Sequence, residues 1–293
     1  MRRLVLLLGF LLGAPLSAAA LEVAATTPNM GMLVRSVGAE HVNVVVLAPG
    51  DRDVHYLEAR PSMMVALRRA DLLVAVGGEL EIGWLPAAIQ GAANPRLLPA
   101  RPGYFEAAAT VTLLDAGTPA DRGLGDVHPA GNPHIYLDPL RMGVAAEALA
   151  ERLAELDDAN ADVYRENARA FAERMARETA AWRQRTRDAP GALLYHKDAD
   201  YLMARLDVPV HGYLEPLPGI PPTARHIRQL VSELDGREGA VFHMIYEPAR
   251  GPQRVAEALG WPLHRMHNNV PVDATIEDYV ALIERWVASL ERT

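Results

Sequence analysis

The chain has 293 residues, half of them hydrophobic and 6% aromatic, and it contains no cysteine. Disulfides and thiolate metal sites are excluded, so any metal must be held by nitrogen and oxygen donors. A net charge of −8 at pH 7 argues against nucleic-acid and anionic-lipid partners and suits a soluble protein that meets cations.

Residues 1–20 read as an export signal. Arg2 and Arg3 form a positive start, residues 4–13 an apolar core, and Ser17-Ala18-Ala19-Ala20 a small-residue cleavage site. The apolar run is too short to span a bilayer. Cleavage near Ala20 is expected, with export to a periplasm and no lipid anchor, since no Cys follows.

Beyond the signal, the pattern alternates. Residues 21–26 predict a first strand and 30–37 a helix. Residues 42–47 form a β-branched run broken only by Asn43, the mark of a strand covered on both faces. The loop 49–55 leaves the carboxyl end of that strand, where ligand residues collect in parallel α/β sheets. A helix over 61–69, a buried strand over 70–78 and a helix over 82–92 follow, then a short strand over 110–114. The stretch 115–131 reads as a loop. Asp138 is placed to cap a helix that buries Ala146, Leu149, Leu153 and Leu156.

Residues 159–187 hold no Gly or Pro, and Tyr164, Ala168, Phe171, Met175 and Trp182 draw one apolar stripe along a helix. Asp157 and Asp158 suit its N-terminal end. Past it come a strand over 192–195, a helix over 199–206, strands over 241–246 and 263–266, and a closing helix over 275–290. Strand–helix alternation on both sides of the long helix predicts two parallel-sheet α/β lobes, over 21–156 and 189–293, joined by one backbone helix over 157–188.

The chain has ten histidines. His41, His211, His226, His243 and His264 lack a shared context and read as surface or satisfied core residues. His55, His196 and His267 each follow an apolar run, and His134 sits in a Pro-bounded turn before a helix. Two lie before the long helix and two after it, so a cleft between the lobes would gather all four. Four neutral imidazoles in a tetrahedron suit Zn²⁺, but scattered histidines carry no geometry by themselves, and position alone leaves both readings open.

The segment from Asp53-Val54-His55 to Arg60-Pro61-Ser62 resembles the first signature of the zinc/manganese-type (cluster A-I) solute-binding proteins of metal ABC importers. Asn132-Pro133-His134-Ile135-Tyr136-Leu137-Asp138-Pro139 resembles their second, and Tyr195-His196-Lys197-Asp198-Ala199 their third. The resemblance implies a metal buried between two α/β lobes, with His55, His134 and His196 as ligands, and delivery to an ABC-type membrane permease, with a periplasmic metallochaperone as a further partner. It also implies a monomeric receptor and not an enzyme. An imidazole at His196, where manganese binders tend to carry a carboxylate, points to the zinc branch.

Many members place an Asp after the last strand as fourth ligand. Counting back from Asp278-Tyr279, that position falls at His267, with Asp273, Glu247 or a water as alternatives. His128 and Asp126 in the 115–131 loop are candidates for transient capture of metal, beside the plainer reading of a solvent-facing loop. The rival functions are a manganese receptor of the same family and a zinc-dependent periplasmic hydrolase. No HExxH, GxSxG or P-loop supports the latter.

Overall fold

The computed structural model describes residues 19–117 and 128–291. Asp126 and nearly all of the expected export signal lie outside those residues. Two four-stranded parallel sheets organise the chain. The first contains β1 (Leu21–Ala25), β2 (Val42–Val46), β3 (Leu72–Ala75) and β4 (Tyr104–Glu106), in the order β2-β1-β3-β4. The second contains β5 (Ala192–Leu194), β6 (Val210–Tyr213), β7 (Ala240–Met244) and β8 (Leu263–Met266), in the order β6-β5-β7-β8. In each, the first strand lies between the second and the third. That arrangement leaves a crevice at the carboxyl ends of the strands, where open α/β sheets bind ligands.

Helices cover the sheets. In the first half they are α1 (Pro28–Gly38), α2 (Pro61–Arg69), α3 (Leu85–Ala92) and α4 (Pro139–Leu156). Thr27 caps α1 by accepting from the Met30 N–H, and Pro86 sits in the first turn of α3, where its missing N–H costs nothing. Asp138 caps α4 as expected, its Oδ1 accepting from Leu140 N at 3.0 Å. The long helix is α5 (Ala161–Thr186), 26 residues and about 39 Å at 1.5 Å per residue. Its predicted stripe of Tyr164, Ala168, Phe171, Met175 and Trp182 is buried, packed against α1, α4 and α9 (Ile276–Leu290). Its N-cap is Asn160, without a side-chain bond. Asp157, expected there, instead accepts from Asn160 Nδ2 and Tyr164 Oη at 2.7 and 2.6 Å.

The remaining helices are α6 (Asp200–Arg205), α7 (Ala224–Leu234) and α8 (Arg250–Leu259). The period of two along β5 sorts the second half into layers. Ala192 and Leu194 join a large core that runs through the first sheet, α5 and α9, whereas Leu193 and Tyr195 turn to a smaller core with Leu230, Val255 and Trp261. The large core crosses from one sheet to the other without interruption. Asn29, buried in α1, clips the two halves together: its Nδ2 donates to the Asn268 carbonyl at 2.8 Å, and its Oδ1 accepts from Val270 N at 3.2 Å.

One element moves. The strand expected over 110–114 is absent, and β4 lies at Tyr104–Glu106 instead. Residues 112 and 114 spend backbone groups on side chains: Arg141 donates to the Thr112 carbonyl at 3.4 Å, and Tyr201 Oη accepts from Leu114 N at 2.8 Å. β6, α7 and α8 are elements that hydrophobic periodicity did not single out.

Candidate metal centre

Three imidazoles meet at the carboxyl ends of the two sheets. Each arrives on a short turn whose local hydrogen bonds aim it. His55 lies in a turn at Val54–Tyr56, beyond β2, capped by the Asp53 side chain. Trp84 pins that turn by donating its indole N–H to the Val54 carbonyl at 3.0 Å. His134 precedes a turn at Ile135–Leu137, and its N–H donates to Asn132 Oδ1 at 2.9 Å. His196 follows β5 and opens a turn at Lys197–Ala199. Asn132 links the second and third turns, since its Nδ2 donates to the Lys197 carbonyl at 3.0 Å.

One ligand atom of each of His55, His134 and His196 lies within 4.8 Å of the other two, and the Nε2 atoms of His134 and His196 are 3.3 Å apart. The opposite nitrogen of each ring is engaged. His55 Nδ1 meets Asp53 Oδ1 at 2.7 Å, His134 Nδ1 meets Tyr136 Oη at 2.8 Å, and His196 Nδ1 meets Glu215 Oε2 at 2.8 Å. An ionised carboxylate only accepts, so Asp53 and Glu215 hold a proton on Nδ1 and leave the Nε2 lone pair for the shared centre. Glu215 Oε2 also accepts from Gly219 N at 2.9 Å.

The surroundings are acidic and largely buried. His55, His196, Asp198, Glu215, Tyr246 and Glu247 line a cleft of about 260 Å³. Burial, reinforced by the other imidazoles, pushes His134 well below the ordinary histidine value, so it is neutral. Burial also opposes a proton on His196. The Glu215 hydrogen bond and the charges of Asp198, Glu215 and Glu247 outweigh it and lift the metal-free imidazole to about 9. Burial raises Asp198 and, with Asp198 beside it, raises Glu247 well above the carboxylate range. Asp53 goes the other way: despite burial, its hydrogen bonds to His55 hold it below its usual value.

His267 stands apart. Met266 is buried, His267 exposed and Asn268 buried, the alternation of a chain still extended beyond β8. The His267 carbonyl accepts from Trp286 Nε1 at 3.0 Å, and its imidazole feels Arg265 and Arg285. Its neighbour turns inward instead: Asn268 Nδ2 donates to Asp198 Oδ1 at 2.9 Å and Tyr246 Oη at 2.6 Å. Asp273 is exposed. Glu247 is near the centre but accepts from Met244 N. His128 does lie at the site, its Nε2 3.3 Å from that of His55.

Tyr136, Asp53 and Glu215 hold the rings of His134, His55 and His196, and the sequence singled out none of them for that role. The signal for Asp53 was its place two residues before His55, where a short side chain caps a turn. Glu215 carried none, being 19 residues from His196.

Imidazoles carried by both halves of the chain thus meet at one centre, a donor set that suits a metal ion. Residues 23–293 match the family described as ZnuA, zinc-uptake complex component A, periplasmic, and the chain belongs to that family. It is 24% identical over 238 residues to the high-affinity zinc uptake system protein ZnuA of Yersinia pestis, spanning 76% of this chain and 75% of that protein. To the metal ABC transporter substrate-binding lipoprotein ScbA of Streptococcus cristatus it is 23% identical over 174 residues, 58% of this chain and about half (53%) of that protein's length. Among solved structures it is similar to FpvC of Pseudomonas aeruginosa in complex with Mn²⁺. There the TM-score is 0.76 at 23% identity, with 92% of this chain and 98% of the other covered. The fold is shared across relatives named for different metals.

Proposed function

We propose that this chain is an exported zinc receptor that captures Zn²⁺ with His55, His134 and His196 and delivers it to an ABC-type permease in the membrane. The observation that carries the reading is that one ligand nitrogen of each of the three imidazoles lies within 4.8 Å of the other two while each Nδ1 is engaged by Asp53, Tyr136 or Glu215. Zinc is favoured over manganese because the donors facing the centre are nitrogen, whereas manganese prefers oxygen. The buried carboxylate nearest His134 belongs to Asp198, and its Oδ1 already accepts from Asn268 and Tyr246. On this reading the chain transports and does not catalyse, and residues 1–20 direct it to the periplasm. A metallochaperone that loads the site there fits the same role. The apolar core common to both sheets limits opening, so release proceeds by small shifts of the ligand turns.

Metal analysis and chelator-competition titration of the cleaved, metal-stripped protein test this, with Zn²⁺ and Mn²⁺ in parallel. One tight zinc per chain with weak manganese is expected. Tighter manganese than zinc would overturn the choice of metal, and weak binding of both would overturn the receptor reading.

A further inference from the structure

We infer that His128 supplies the fourth imidazole, so that the ion is held by His55, His128, His134 and His196 and by no carboxylate. The inference rests on the receptor reading above and adds the donor that closes the site.

The argument is geometric. A tetrahedral ion with bonds of about 2.0–2.1 Å keeps its ligand atoms about 3.3–3.4 Å apart. His134 and His196 have that Nε2 separation, 3.3 Å. His55 and His128 have it too, 3.3 Å. These pairs share no residue, so an ion common to all four would take them as two opposite edges of one tetrahedron, with His128 moving in to join His55, His134 and His196, the three that already lie within 4.8 Å of one another. The rings of His128 and His134 have centroids 6.2 Å apart, and those of His55 and His134 are 5.1 Å apart, so side-chain adjustment around an ion closes the remaining edges.

His128 is also delivered by a built turn. Its carbonyl accepts from Gly131 N at 3.0 Å, and the next residue, Asn132, donates its N–H to the Leu114 carbonyl at 2.8 Å. Gly131 has φ +117°, and a Cβ there would lie 2.7 Å from the Leu114 oxygen, so only glycine fits the close approach. The turn that ends in Asn132, the residue that aims His134, therefore presents His128 as well. The rival oxygen donors are committed elsewhere. Asp53 and Glu215 hold Nδ1 atoms, Glu247 accepts from Met244 N, and Asp198 accepts from Asn268.

Four neutral nitrogen donors close the coordination shell, leave no position for water and favour zinc over manganese. X-ray absorption of the zinc-loaded full chain counts its imidazoles, and the visible spectrum of the Co²⁺-loaded chain reports coordination number. We expect four imidazoles in the parent and three plus an oxygen in His128→Ala, with an altered cobalt spectrum. Zinc affinity should fall by at least the ten- to hundredfold, roughly, that loss of an outer-shell partner costs. His267→Ala should match the parent in all three readings. Unchanged imidazole count and affinity in His128→Ala, in a parent that binds zinc tightly, would overturn the fourth donor and leave the receptor reading standing. A parent that takes up no tight zinc would overturn both.

Discussion

The strongest quantitative consequence of the site concerns pH. Zinc binds the neutral imidazole, yet His196 in the metal-free protein holds its proton up to about 9, since Glu215, Asp198 and Glu247 outweigh the effect of burial. The sign follows directly: below about 9, binding must displace a proton from His196, so affinity falls as pH falls, about tenfold per unit. His134, pushed well below the ordinary histidine value by burial, adds no proton to displace near neutrality. Between pH 6 and pH 8 the His196 contribution is about a hundredfold in affinity, or about 2.7 kcal/mol. A histidine at its ordinary value near 6.5 would contribute only about fourfold over that interval. The assay is chelator competition at pH 6, 7 and 8, corrected for protonation of the chelator, with proton release followed by calorimetry in two buffers. Glu215→Gln is the matching variant: its amide oxygen still accepts from Nδ1–H, but the charge is gone, so the dependence should flatten above pH 7. A fourfold change in the parent, or an unchanged profile in Glu215→Gln, would refute the reasoning.

Three further outcomes are expected. His134→Ala and His196→Ala should each weaken zinc binding by orders of magnitude, while His226→Ala should leave it unchanged, since His226 on α7 faces the Tyr213 carbonyl at 3.1 Å; equal losses in all three titrations would defeat the assignment. Tyr136→Phe removes the hydroxyl 2.8 Å from His134 Nδ1 and should cost about ten- to a hundredfold in zinc affinity, with the far-UV circular dichroism unchanged. Asp138→Ala removes the α4 cap and both bonds to Arg205, at 2.8 and 2.9 Å. Urea denaturation should show a loss of about 2–4 kcal/mol with an unchanged m-value, adding a cap of about 1 kcal/mol to bonds with a charged partner.

What the sequence disclosed and what it hid divide along one physical line. The α5 stripe and the apolar runs that became β1, β3 and β7 were readable because burial on a regular element marks the sequence, whereas β2, expected to be covered on both faces, is an edge strand with Asn43 and Val45 exposed. His55, His134 and His196 were readable because each sits within a local motif beside its own strand or helix. β6, Val-His-Gly-Tyr, mixes a Gly and a His into four half-buried residues and leaves no period. His267 was placed by counting along the chain, but inward or outward there depends on a single residue of phase, and Asn268 took the inward position. Glu215 was invisible for a different reason: its partner is defined by the pairing of β5 with β6, which sequence distance does not encode.

The electrostatic arrangement explains how a cavity ringed by acids can prefer nitrogen donors. Asp53 and Glu215 lie one ring away from the centre, on the Nδ1 sides of His55 and His196, and Glu215 raises the basicity of His196 without occupying a coordination position. Burial raises the proton affinity of both Asp198 and Glu247, and the charge of Asp198 raises Glu247 further, so both buried carboxyls resist ionisation in the metal-free site. On the proposed reading, a dication at the centre would favour ionisation of both while displacing the proton of His196. On the proposed reading the same groups would work on both cations, drawing Zn²⁺ in and holding H⁺ on His196 when it is gone. Protonating His196 would weaken the grip with one proton on one ligand, and like a small shift of the ligand turns it needs no separation of the continuous core beneath the two sheets.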